Sequence, residues 1–498
     1  MAIALRRVIA ASVILGVLTL SAQAQDGPEG PPRHAEEAPK LPPEQTTHHV
    51  LELPGRTLKF AATAGAIRLN NGENVAQTDV AFVAYQLEGA DRRTRPVSFV
   101  FNGGPGMASG WLQVGAIGPW RIPIGGADGV PSASPEPMPN AETWLDFTDL
   151  VFVDPPGTGY SRILAKGDEA RRRLWSVSGD IDALAEAIRR WLDHNDRIVS
   201  PKYIVGESYG GFRGPRLARA LQSEHGVGVS GLVLISPLLD AHTKSGYNDP
   251  LGWVDLLPSE AAAARALKGP VTRAGLADVE QYAATDYLTD VMRGFHDAAA
   301  VARLTERVAA LTGIDRAIVA RAGGRLDGEV FRHELERAAG RVGSVYDATV
   351  TRGDPFPRQP SSELPDPVLE GLKAPITGAM VAIYTDRLNW RPDGVYLLAN
   401  DDVARQWNWG RGMGRPESLR DLQTALALDP RLHVLIAHGL FDLATPYFTT
   451  VRQLNQLPDA ASAERVRLVV YPGGHMFYSD DASRAAFRDA AGALFRGP

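Results

Sequence analysis

The sequence predicts an α/β fold: a mainly parallel sheet flanked by helices and interrupted by an inserted, mostly helical cap. Three observations lead there. Between residues 50 and 240, apolar runs suited to strands alternate with helical patterns, the signature of strands joined by helical crossovers. Between 241 and 410 that alternation stops, and helical stretches and Pro-rich connectors dominate. From 411 to 498 the pattern returns with two more strand-like runs and a closing helix. A sheet pattern that breaks and resumes means a core that is discontinuous in sequence.

The elements follow in order. Arg6 and Arg7 precede an apolar run from Val8 to about Leu20, and Ser21-Ala22-Gln23-Ala24 follows. The run is shorter than the roughly 18 residues that span a bilayer, and it ends in a small-x-small site, so residues 1–24 read as a secretory signal cleaved after Ala24. The expectation is export, periplasmic or secreted, with no membrane attachment after cleavage. Residues 25–49 are rich in Pro, Glu and Gly with almost no aliphatic periodicity, and read as a disordered tether. Strands are expected at Thr57–Phe60, Val80–Gln86, Val97–Phe101 and Leu150–Val153, the last two continuous apolar segments suited to a sheet covered on both faces. In Asp180–Leu192 the residues Ile181, Leu184, Ile188, Trp191 and Leu192 share one helical face. A strand from Lys202, a helix over Phe212–Gln222 and a strand at Leu232–Ile235 come next. The cap should hold helices at Ala261–Leu267, Asp278–His296 and Ala298–Leu311, with Pro-rich connectors around Asp354–Pro367. The core closes with strands at Leu432–Ala437 and Val466–Tyr471 and a helix over Ser483–Phe495.

Composition is that of a globular chain with ample material for a core: 498 residues, 44% hydrophobic and 22% charged. A net charge of −6 with no long basic run gives no reason to expect nucleic acid. No Cys/His spacing suggests a metal, and no cofactor is implied. The chain has no cysteine, which excludes an acylated lipoprotein anchor and disulfides; a core of this size does not need them.

The most informative stretch is Lys202-Tyr203-Ile204-Val205-Gly206-Glu207-Ser208-Tyr209-Gly210-Gly211, a strand running into a Gly-flanked serine with a helix after it. A serine on so tight a strand-to-helix turn has a strained backbone, and glycines two positions either side keep neighbouring side chains away. Ser208 is therefore the expected nucleophile. A hydroxyl needs an adjacent base and a third group to orient that base. His475 ends Pro472-Gly473-Gly474-His475 after one predicted strand, and Asp442 ends His438-Gly439-Leu440-Phe441-Asp442 after another, so both sit at carboxyl ends of parallel strands, where open α/β sheets place ligands. His438 is the competitor for the base, but using it would leave Asp442 without a role. The order Ser208, Asp442, His475 is that of an α/β-hydrolase.

Phe99-Val100-Phe101-Asn102-Gly103-Gly104-Pro105-Gly106 carries a buried strand into a glycine-rich loop with exposed amides. This suits an oxyanion hole, with the Gly104 and Tyr209 amides as expected donors. A phosphate loop is the rival, but no GxxxxGK[ST] follows. A third tight turn, Asp154–Ser161, is expected on the same rim.

The Asn102–Gly106 loop, the Gly206–Gly211 elbow and Gly474-His475-Met476 together resemble the serine carboxypeptidases. The resemblance runs from about Val97 to Ile235 and from Leu432 to the end, is weak in the cap, and has as its most specific element the glutamate before the nucleophile. It implies a serine carboxypeptidase acting on peptides with a free C-terminus, with Glu207 and Asn102 holding the terminal carboxylate. Glutamate and carboxylate can share a hydrogen bond only when one is protonated, so acidic pH should favour binding. The sequence departs from the family pattern at Ala116, where a second glutamate is usual, at Met107 in place of a cysteine, and at Val100 in place of a tryptophan. Without that second carboxylate a less acidic optimum than the family's is expected. The alternatives are an esterase or proline-releasing aminopeptidase on the same residues, or a catalytically silent binding protein of the same fold. For the leader, N-terminal sequencing of the mature protein should begin at Gln25; a full-length cytoplasmic product would overturn export.

Overall fold

The computed structural model describes residues 41–125, 135–241, 249–410, 416–458 and 464–496. The expected signal and the tether up to residue 40 lie outside these. Residues 39–498 form one compact unit, built on a ten-stranded sheet. Its first three strands, β1 (Gln45–Leu53), β2 (Arg56–Asn70) and β3 (Ala76–Leu87), pair antiparallel. The others are β4 (Val97–Phe101), β5 (Asp149–Val153), β6 (Lys202–Glu207), β7 (Gly231–Ile235), β8 (His433–Gly439) and β9 (Val466–Tyr471), in the order β1-β2-β3-β5-β4-β6-β7-β8-β9. Every pairing from β5 to β9 is parallel, and a two-residue strand, Arg162–Ile163, pairs beside β3.

The tether expected to reach His49 is shorter than that, because Gln45–His49 begin β1. Its residues alternate between more and less exposed positions, but the covered ones there are Gln45, Thr47 and His49 rather than aliphatics. Hydrophobic periodicity therefore has nothing to register until Leu51 and Leu53. β2 extends well past the expected Thr57–Phe60 for a similar reason: its small residues Ala62, Thr63 and Ala64 are buried but carry little apolar signal.

All residues of β4, β5, β6 and β7 are buried, and alternate residues feed two separate cores. Phe99, Phe101, Ile204, Leu232 and Leu234 face one; Val100, Phe152, Val205, Val233 and Ile235 face the other. On the first face lie α1 (Val177–His194), whose Ser176 cap accepts from the Gly179 amide at 3.1 Å, and α2 (Tyr209–Glu224).

The insertion enters between the neighbouring strands β7 and β8. Its first part, with α3 (Pro250–Ala266) and α4 (Ala298–Thr312), builds a third core shared with Phe441 and with Tyr447 and Phe448 of α6 (Tyr447–Leu454). The stretch expected as one helix from Asp278 to His296 is divided by a π-helical turn at Ala283–Tyr287 and ends at Arg293 before Gly294 (φ +78°). A small hairpin pairs Arg341–Gly343 with Thr351–Gly353. The second part, with α5 (Pro367–Ala382) and Trp390, Tyr396 and Leu398, packs into the main core beside Trp111 and Tyr160. The final helix α7 (Asp481–Arg496) covers that face with Phe487 and Ala491. Among the described residues no helix is long and apolar enough to cross a membrane.

Behind the carboxyl edge of the sheet, Arg213 of α2 forms a two-pronged pair with Asp180 of α1, Nε to Oδ2 at 2.7 Å and Nη2 to Oδ1 at 3.3 Å. Both side chains are almost wholly buried. Removing one partner strands the other charge in the core, so Asp180→Ala should cost about 3–5 kcal/mol in urea unfolding. A loss under about 1 kcal/mol would show that water reaches the guanidinium.

Candidate active site

Because β4 to β9 run parallel, their carboxyl ends share one edge, and the loops leaving it meet. Ser208 sits between β6 and α2 with φ +59° and ψ −119°, a conformation that costs a non-glycine residue of order 1–3 kcal/mol and needs surrounding structure to hold it. That support comes from β7 and the loop after it: the Ser208 amide donates to the Ile235 carbonyl at 2.8 Å, and its carbonyl accepts from the Leu238 amide at 3.1 Å. Two glycines are sterically required. A Cβ on Gly206 would lie 2.0 Å from the Gly210 carbonyl oxygen; one on Gly103 would lie 2.5 Å from the Tyr209 nitrogen and 2.8 Å from the Ser208 Cβ. The Asn102–Gly106 loop can thus press its backbone against the elbow. The Gly104 and Tyr209 amides have no hydrogen-bond partner among the described residues.

Ser208 and His475 line one cavity of about 80 Å³, together with Asn102, Gly104, Glu207 and Trp111. His475 Nδ1 lies 2.7 Å from Asp442 Oδ2. Asp442 is fully buried, and its Oδ1 accepts from the amides of Ala444 (2.8 Å) and Thr445 (2.9 Å). The Thr445 hydroxyl stands 2.8 Å from Asp442 Oδ2 and 3.0 Å from the Ser236 carbonyl. The histidine backbone is held too: its carbonyl accepts from Ser236 Oγ at 2.8 Å, and its amide donates to the Tyr346 carbonyl at 2.5 Å. The Tyr346 ring meets the imidazole edge-on, 5.3 Å between centroids. Sequence reasoning missed Thr445, Ser236 and Tyr346, since each acts through a contact that no spacing encodes.

His438 is elsewhere. It is fully buried, its Nε2 is 2.8 Å from Thr450 Oγ1, and burial lowers its pKa to about 4. It therefore stays neutral, and it does not line the Ser208 cavity.

Glu207 and Asn102 are buried side by side. Asn102 Nδ2 donates to Glu207 Oε2, and its Oδ1 accepts from the Leu112 amide at 3.1 Å. The other glutamate oxygen accepts from the Tyr478 hydroxyl at 2.9 Å. Burial pushes the Glu207 carboxyl up to about 7, against the lowering effects of His475 and Tyr478. Asp442 adds a smaller like-charge contribution in the raising direction. Desolvation thus does what a second neighbouring glutamate would have done. Ala116, at that position, is buried in the main core with its carbonyl accepting from Asn140, and it does not line the cavity. The adjacent Gly115 leaves room for the Tyr478 ring: a Cβ there would sit 3.3 Å from it. A tyrosine three residues past a histidine carries no sequence signal of this role.

The Asp154–Ser161 turn does not reach the cavity rim. Asp154 instead accepts from the Ser109 amide (2.9 Å) and hydroxyl (2.8 Å), pinning the segment after the glycine loop. Its carboxyl is raised to about 6 by burial. Among the described residues no cluster of His, Asp and Glu could hold a metal.

The fold is that of the α/β-hydrolases, with a Ser-His-Asp constellation at the carboxyl edge of the sheet. Residues 54–271, which carry the Asn102 loop and the Ser208 elbow, match the family model for serine carboxypeptidases. The chain is 29% identical over 178 residues to the pheromone-processing carboxypeptidase KEX1 of Coprinopsis cinerea, spanning 34% of this chain and 27% of that protein. It is 26% identical over 214 residues to serine carboxypeptidase-like 29 of Arabidopsis thaliana, spanning 41% and 40% respectively. The matches thus span well under half of these relatives. The crystal structure of a prohormone-processing carboxypeptidase from Saccharomyces cerevisiae shares the fold, with a TM-score of 0.53 over 86% of this chain and 90% of that one at 13% identity.

The geometry separates the two histidines experimentally. His475→Ala and Ser208→Ala should each abolish labelling by a fluorophosphonate probe, whereas His438→Ala should label at near the wild-type rate per folded molecule. The reverse ranking would reassign the base.

Proposed function

We propose that this protein is a serine-type carboxypeptidase that releases the last residue of peptides through an acyl-enzyme on Ser208. His475 takes the Ser208 proton as the hydroxyl oxygen attacks the scissile carbonyl. Asp442 holds the imidazole in the tautomer that presents Nε2 to the serine and stabilises its charged form. The Gly104 and Tyr209 amides receive the negative charge that develops on the carbonyl oxygen. Collapse of the tetrahedral intermediate breaks the C–N bond, and His475 passes its proton to the leaving amine. Water, activated by the same imidazole, then hydrolyses the ester and regenerates Ser208.

The observation that carries the exopeptidase reading is Glu207. A buried carboxyl one residue before the nucleophile, raised to about 7 and held by Asn102 and Tyr478, remains protonated in mildly acidic solution. It can donate a hydrogen bond to a substrate carboxylate that a charged glutamate would repel. An esterase has no use for such a group, and an aminopeptidase needs carboxylates that stay ionised toward an ammonium. The predicted leader at residues 1–24 supports work outside the cytoplasm, in a periplasmic or secreted setting.

The test is kinetic. Peptides with a free C-terminus should be cleaved far more efficiently than their C-terminal amides. For the free acids, kcat/KM should fall as pH rises through about 7, because Glu207 then ionises and loses its donor. Glu207→Gln keeps a donor at every pH and should flatten that alkaline limb. Equal efficiency on acid and amide, with an unchanged profile in Glu207→Gln, would leave acyl transfer but remove carboxylate recognition.

A further inference from the structure

Tyr346 and Met476 border the cavity at Ser208. These two side chains also wall a side pocket of about 80 Å³, whose remaining surface is largely apolar, with Ile124, Val368 and Leu372. Its position follows from the chain: Met476 lies between His475 and Tyr478, the residue that grips Glu207. The pocket therefore adjoins the Ser208 cavity across Tyr346 and Met476.

Two charged residues, Asp347 and Arg352, line this pocket. Asp347 is occupied locally: its Oδ1 accepts from the Thr349 amide at 3.0 Å and from the Thr349 hydroxyl at 2.6 Å. Arg352, half-buried on the small cap hairpin, is not. Its Nη1 donates to the Thr351 carbonyl at 2.9 Å, and among the described residues it has no ion pair. The other arginines of the wider groove beyond the pocket are paired, Arg341 with Glu336 at 3.5 Å and Arg121 with Glu142 at 4.0 Å. A guanidinium with no ion pair among the described residues offers a planar fork of donors matched to a carboxylate.

We propose that a peptide held at Ser208 and Glu207 places its last side chain in this adjoining pocket, and that Arg352 makes the site selective for peptides that end in an acidic residue, whose side-chain carboxylate docks on the guanidinium. The proposal rests on the carboxypeptidase reading above and adds the class of substrate. A purely structural Arg352, holding only the Thr351 carbonyl, would leave no trace in selectivity.

The experiment compares N-acylated peptides that differ only in the last residue, Glu against its neutral isostere Gln, and Lys as the opposite charge. In the wild-type enzyme kcat/KM should favour Glu over Gln by about tenfold or more. Arg352→Gln should bring that ratio to about one, Arg352→Lys should restore part of it, and Arg352→Glu should turn the preference toward Lys. Because each ratio is measured on one population of active molecules, it does not move if a variant is partly unfolded. A second pair, with Glu or Gln at the penultimate position, should show a ratio near one. Equal rates for Glu and Gln at the last position in the wild type, a ratio that survives Arg352→Gln, or selectivity found at the penultimate position would each overturn the assignment. If no peptide loses its last residue, the carboxypeptidase reading itself fails; release without acidic preference overturns only the role of Arg352.

Discussion

The buried guanidinium of Arg213 is the contact through which the parts of the site are held to one another. Besides its pair with Asp180, it donates through Nη1 to the Asn102 carbonyl at 2.8 Å, and it lies over the Tyr209 ring at 4.9 Å. One side chain thus ties α1, the glycine-rich loop and the first turn after Ser208. The arrangement is a constraint as much as a bond. A desolvated charge tolerates little displacement of its partners, because losing one leaves a cost of several kcal/mol unmet. The glycine-rich loop and the elbow are therefore held at a distance that depends on a completed ion pair. The bare Gly103 backbone lets them come that close.

Around this frame the site holds two carboxyl groups in contrasting surroundings. Asp442 accepts from two backbone amides, faces the Thr445 hydroxyl and lies against His475. Glu207 is buried with only the neutral donors of Asn102 and Tyr478, and its pKa rises to about 7. In the proposed mechanism the first orients the imidazole and the second donates a hydrogen bond to the substrate. The insertion contributes as well. The Tyr346 carbonyl and ring both engage His475, and its hairpin carries Arg352. Variation in the insertion can thus alter what the pocket accepts without touching the elbow.

Much of this was legible in the chain, for physical reasons that differ by element. β4 and β5 occur where the apolar runs put them, because a strand buried on both faces is apolar almost throughout. The elbow was readable because a strained turn admits only glycine where backbones approach, so Gly206 and Gly210 are visible marks of geometry. His475 and Asp442 were placed by their position after strands. β1 was not readable, since its half-covered residues at Gln45, Thr47 and His49 are polar. Nor were the π-helical interruption at Ala283–Tyr287 and the second half of the insertion, where α5 contains Pro375 and is held by packing against the main core rather than by helix propensity.

By itself, then, the amino-acid order determined whatever depends on local stereochemistry: which segments are strands, where the backbone must turn sharply, and which serine, acid and histidine end up on one edge. Tertiary structure alone decided what depends on desolvation and on contacts between distant segments. It buried His438 beside Thr450 and set His475 against Asp442, and it brought the Tyr478 ring up to Gly115. It also raised Glu207 by burial and left Arg352, among the described residues, without an ion pair in a pocket next to the Ser208 cavity. A residue's charge state is set by the dielectric and the partners around it, and those are assembled only when the chain folds.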